Sequence, residues 1–192
     1  GQQDTTNVWD AHFDGVWHLD EDAAGTGSPD VYRGSTSHAC HATDYTAATD
    51  KAGKVGRGQG FVKTNLDYIL TTCPLTYNAP FTVEAWIREN TTSWQAFVGA
   101  VGTYPGLICD RGLATQRGWL GYTDTNDVPI TTVAVGYSLG VDGTAPATNW
   151  THVVVSREGN NLHAYVNGAW TKTLDVSAAK HTDLSALRLS KP

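Results

Sequence analysis

The stretch PFTVEAWIR (residues 80–88) decides the fold. Phe81, Val83, Ala85 and Ile87 fall on one side of an extended chain, and Thr82, Glu84, Trp86 and Arg88 on the other. A period of two marks a strand with one face against a core and one toward solvent. Working outward, NWTHVVVSR (149–157) is strand-like and is followed by a turn at Glu158-Gly-Asn-Asn. A second strand (162–166) meets Asn167 and Gly168, the strongest short hairpin signal, and a third strand (169–173) follows at once. Two strand-turn-strand units in series make an antiparallel meander.

Further strands are expected at 15–19, 60–63, 66–70, 94–101, 106–109, 118–122, 130–137 and 186–190, with a helical turn hinted only at 176–180. Residues 1–14 read as a polar lead-in. Residues 22–58 are rich in Gly, Ser, Thr, Asp and Ala, and read as one long loop that a function or a bound ion would have to justify. Many short strands without internal repeats or a linker describe one all-β domain over residues 1–192, a sandwich or barrel.

Composition agrees. Thr is the commonest residue at 26 copies, and 7 Trp, 8 Tyr and 4 Phe make the chain too aromatic for a disordered tail. A net charge of −6 argues against binding to nucleic acid or an anionic membrane, and no apolar run is long enough for membrane insertion. The absence of Met indicates a processed product or a piece of something longer. Three cysteines, Cys40, Cys73 and Cys109, permit at most one internal bridge. Cys73 and Cys109, each beside a turn-like segment, are the first choice, with three small buried hydrophobes as the alternative.

Several segments together resemble a known family. FTVEAWI (81–87), NWTHVVV (149–155) and LHAYVNGAW (162–170) are similar to laminin-G-like, concanavalin A-like jelly rolls. GVWHLDE (15–21), GSTSHACHAT (34–43) and GKVGRGQGF (53–61) resemble bacterial members of that family, in the family's order. The resemblance implies an antiparallel two-sheet jelly-roll sandwich, usually one module of a larger extracellular protein. Two departures stand out. Gly34 occupies a turn where the family commonly has an Asp that helps hold calcium. No closing strand of the form F-x-G-x-I-D-E follows the last residues, so either a downstream segment is missing or a strand-donating protein chain completes the sheet.

Three chemistries compete. A structural calcium would draw on Asp20, Asp22, Asp30 and Asp44, which flank or lie within the long loop and supply the oxygens a hard cation wants. Spaced loop acids are also commonly just solvated. Sugar recognition would use aromatic planes, for which Trp94, Tyr104, Trp119, Tyr122 and Trp170 are candidates, whereas Trp17, Trp86 and Trp150 fit packing roles. Catalysis is disfavoured: no HExxH occurs, Glu84 stands alone on its strand, and Cys40 with His38 and His41 lacks a nearby fourth zinc ligand. The expectation is a non-catalytic, secreted or cell-surface module that binds a glycan or surface ligand. The alternative is a structural or assembly module of a larger surface protein or filament.

Overall fold

A computed structural model describes residues 8–21, 27–47, 51–76, 79–88, 95–100, 106–110, 119–120, 135–136, 150–175, 177 and 187–191. Among these residues the chain forms strands β1 (Ala42–Tyr45), β2 (Lys51–Ala52), β3 (Arg57–Gly58), β4 (Tyr68–Thr71), β5 (Phe81–Ile87), β6 (Gln95–Ala100) and β7 (Gly106–Asp110). They continue as β8 (Trp119–Leu120), β9 (Val135–Gly136), β10 (Thr151–Glu158), β11 (Asn161–Val166), β12 (Ala169–Asp175) and β13 (Leu187–Lys191). One short 3-10 helix spans Lys63–Asn65. Every described strand pairing is antiparallel, as the expected two-sheet jelly-roll sandwich requires.

Backbone contacts divide the chain into two units, Gly1–Pro74 with Ser185–Pro192, and Leu75–Leu184. In the second unit, β12-β11-β10-β5 form a sheet in that order, and β6, β7, β8 and β9 form an antiparallel ladder. The alternation decides which side of the four-stranded sheet is covered. Val153, Val155, Leu162, Ala164 and Ile87 are buried, whereas Thr82, Glu84 and Trp86 point outward and are exposed. Each large aliphatic removed from water in this way contributes about 1.5–3 kcal/mol. The Asn167-Gly168 turn takes φ of 50° and 80°, the left-handed pair that a two-residue hairpin of this hand demands. Asn167 also accepts a bond from the His152 amide through Oδ1 (3.0 Å) and donates its own amide to the His152 carbonyl (2.8 Å).

In the first unit, β4 lies between β1 and β13. Tyr32, Ala42 and Ile69 form the buried centre, with Trp17, Leu19, Val31, Phe61 and Leu189 packed around it. Antiparallel pairing of Ala42 with Thr71 places Cys40 opposite Cys73 by simple continuation of the register. The two are joined in a disulfide with Cα atoms 5.1 Å apart. The favoured Cys73–Cys109 pair is thereby corrected, and a zinc role for Cys40 is excluded because its sulfur is already bonded.

Two expected strands are not formed. Residues 15–19 run without a ladder because Val16 O accepts the Ser35 amide (2.9 Å), Trp17 Nε1 donates to Cys40 O (2.8 Å), and Leu19 turns the chain at φ 57°. Residues 60–63 lead instead into the 3-10 turn. Asp67 draws the chain round there, accepting the Val62 amide through Oδ2 (2.9 Å) and the Ala47 amide through Oδ1 (2.8 Å). Conversely, the expected long loop contains β1 and the β2–β3 hairpin. The hint of a helical turn at 176–180 lies outside the described residues, apart from Ser177.

Candidate functional site

The outer face of the four-stranded sheet carries two exposed indoles, Trp86 and Trp170, together with partly exposed polar side chains. Cross-strand register arranges them in rows. Trp86 stands opposite His152; Glu84 opposite Val154, which is opposite Tyr165; Thr82 opposite Ser156, which is opposite His163. His163 in turn faces Thr173, and Tyr165 faces Trp170.

Trp170 and Thr173 are three residues apart, so a regular strand would place them on opposite faces. The register shifts between Ala164 and Tyr165, leaving one extra residue on β12. This bulge returns Trp170 to the face of Thr173. Its indole Nε1 donates to Thr173 Oγ1 (3.1 Å), which also lies 2.8 Å from His163 Nδ1. At the other edge, Trp86 packs its ring against His152 at 5.0 Å and 34°. His152 Nε2 is 3.4 Å from Glu84 Oε2. Thr82 Oγ1 donates to Ser156 Oγ at 3.2 Å. The result is a platform with Trp86 (47% exposed) at one edge strand, Trp170 (62% exposed) at the other, and imidazole, hydroxyl and carboxylate groups between them.

The carboxylates of this face do not stand opposite one another. Glu84 opposes Val154, while Glu158 and Asp175 both oppose Asn161. Hydrogen bonds from Ser177 hold the Asp175 carboxyl below its ordinary range, which suits an acceptor and not a proton donor.

Of the aromatic residues singled out by sequence, Trp170 is on this platform. Trp119 lies in β8, where only the backbone is described, and Trp94, Tyr104 and Tyr122 lie outside the described residues. Trp17 does pack, against the centre of the first unit. Trp150 is half-buried beneath the Arg88 guanidinium, 5.1 Å from its ring centroid. Trp86 does not fit a packing role: it is exposed, as its place beside Thr82 and Glu84 in the alternation already implied. His152, His163 and Tyr165 carry no motif of their own in the sequence; the register of the folded meander is what brings them beside Trp86 and Trp170.

The expected calcium ligands are dispersed. Asp20 and Asp30 are exposed, Asp30 in a turn at φ 58°, and Asp22 lies outside the described residues. Asp44 is fully buried. Its Oδ1 accepts from the Thr46 amide and hydroxyl (both 2.8 Å) and from the Tyr32 hydroxyl (3.4 Å). Among the described residues no group of three or more His, Cys, Asp or Glu side chains could hold a metal. No helix among them is long and apolar enough to cross a membrane. Gly34 explains itself sterically: a Cβ there would lie 2.5 Å from Cys40 O, so the family's Asp does not fit.

With this geometry in view, residues 63–189 match the model of the concanavalin A-like lectin/glucanase superfamily, laminin-G-like branch. The chain belongs to that superfamily. Among curated proteins no sequence matches it. Among solved structures it is similar to the receptor binding domain of botulinum neurotoxin D, at 11% identity and a TM-score of 0.56, covering 90% of this chain and 44% of that one. It is similar to the serotype D ligand binding domain in complex with N-acetylneuraminic acid, at 11% identity, TM-score 0.54, and coverage of 93% and 43%. It is similar also to the binding domain of botulinum neurotoxin DC in complex with SialylT, at 12% identity, TM-score 0.56, and coverage of 89% and 42%. The chain spans less than half the length of these solved chains, and at such identities the likeness is one of fold.

Proposed function

We propose that this chain is a non-catalytic carbohydrate-binding module of a secreted or cell-surface protein, and that its glycan lies across the outer face of the β12-β11-β10-β5 sheet. The observation that carries the reading is the pair of exposed indoles, Trp86 and Trp170, on opposite edge strands of one face with polar groups between them. A sugar ring has one apolar side and a rim of hydroxyls. Exposed Trp planes accept the first, and the Glu84, His152, His163 and Thr173 side chains can hydrogen-bond the second. Two of the similar structures are complexes, with N-acetylneuraminic acid and with SialylT, which makes sialylated glycans the first probes. The Cys40–Cys73 disulfide favours an oxidising, extracytoplasmic setting. Glycoside cleavage would need two cooperating carboxylates, and Glu84, the acid beside Trp86 and His152, has Val154 and not a carboxylate opposite it.

Isothermal titration calorimetry with sialylated and neutral oligosaccharides tests the proposal. Saturable binding that weakens in both Trp86→Ala and Trp170→Ala, with the fold intact by circular dichroism, is the expected result. Binding that survives both changes would move the site elsewhere.

A further inference from the structure

The aromatic face has a cationic end. Continuing the register one pair beyond Ile87 and Thr151 sets Arg88 opposite Trp150, on the outer face that carries Trp86 and His152. Arg88 is exposed, and its guanidinium lies over the Trp150 ring, 5.1 Å from the centroid. Stacking of this kind engages the flat face of a guanidinium and leaves the N–H groups on its rim to bond elsewhere. Two parallel N–H donors in one plane match two oxygens of a carboxylate or a sulfate. Two residues back along β5, the exposed Trp86 indole supplies a surface for the sugar ring that bears such a group.

Further along the sheet the sign reverses. Glu84 is turned to His152, with Oε2 3.4 Å from Nε2. Glu158 and Asp175 both stand opposite Asn161. At about 3.3 Å per residue, Glu158 is about 26 Å along the strand from Trp150. The chain as a whole carries −6. A polyanion laid across this face would run into carboxylates of its own sign. A glycan with one anionic sugar at its end and neutral sugars behind it meets opposite charge at Arg88 and hydroxyl, imidazole and indole groups beyond.

We infer that the platform has a direction: Arg88 holds a terminal anionic sugar, carboxylated or sulfated, beside Trp86, and the neutral remainder of the glycan crosses the sheet toward Trp170. This rests on the glycan-binding role proposed for the face, and adds the ligand class and the residue that selects it.

Calorimetry of the intact chain with lactose, sialyllactose, singly sulfated lactose and a heparin tetrasaccharide tests the inference. At least one of the two singly charged probes is expected to bind about tenfold or more tighter than lactose, because a charge-assisted pair is added. The larger gain tells carboxylate from sulfate. Arg88→Gln, at an exposed position, is expected to bring that ratio close to one. Arg88→Lys keeps the charge without the planar fork and is expected to recover only part of it. Added salt should shrink the ratio in the unaltered chain and leave it unmoved in Arg88→Gln.

A ratio near one in the unaltered chain, or a high ratio that survives Arg88→Gln, would overturn the inference. The platform itself would still stand if binding fell in Trp86→Ala and Trp170→Ala. Heparin binding tighter than both singly charged probes would also overturn the inference, and no binding of any probe would overturn it together with the platform.

Discussion

The two units solve the same problem with different materials. The four-stranded sheet of the second is built from long strands whose alternate residues, Val153, Val155, Leu162 and Ala164, are buried. The first has strands of two to five residues and buries polar side chains beside its apolar ones, among them Thr36, Asp44, Thr46, Asp67 and Thr71. Its irregular segments are tied by carboxylates that collect backbone amides, as Asp67 does from Ala47 and Val62, and by the Cys40–Cys73 bridge. Where strands are long, hydrophobic periodicity specifies the structure. Where they are short, individual bonds must do so.

The contrast can be broken from either side. Leu162→Ala empties a fully buried position in the regular sheet and is expected to cost about 2–5 kcal/mol in chemical denaturation. Hydrogen exchange should locate the loss in β10 and β11. Cys40→Ser is expected to cost about 2–4 kcal/mol, with the loss of exchange protection centred on β1 and β4 and not on β10. Equal loss in both places would mean that the bridge is not a local device.

Gly34→Asp restores the acid common in the family but drives a Cβ against Cys40 O, and is expected to destabilise by about 1–3 kcal/mol. A stabilising effect would show that the Cys40 backbone yields. Tyr32 gives a smaller, pH-dependent signal. Burial, more than its acidic neighbours, pushes its phenol well above the ordinary value of 10.0. The unfolded chain releases this proton at lower pH than the folded one. The stability Tyr32 contributes is therefore complete below roughly pH 10 and is lost as pH rises beyond it. Tyr32→Phe should flatten that alkaline decline, and parallel pH–stability curves would contradict the assignment.

Legibility followed the same division. The alternation in residues 80–88, the meander from 149 to 173 and the Asn-Gly turn were readable because periodicity and turn chemistry are local. β1 was not: Ala42-Thr-Asp-Tyr45 has a carboxylate at an inward position, which reads as loop until Tyr32 and Thr46 are seen to bond its Oδ1. The disulfide was hidden for a related reason, since only the β1–β4 register brings Cys40 opposite Cys73. At the candidate site, Trp170 was recognisable as an available aromatic. Its alignment with Thr173 depends on a bulge that no pattern of residue types announces.

The most direct measurement is on the indole N–H signals of the isotope-labelled chain during titration with the glycan identified by calorimetry. Trp170 and Trp86 are expected to shift together and saturate at one affinity, while Trp17, bonded to Cys40 O, stays in place. Saturable shifts at other indoles, with Trp86 and Trp170 unmoved, would contradict the assignment of the outer sheet face as the binding platform.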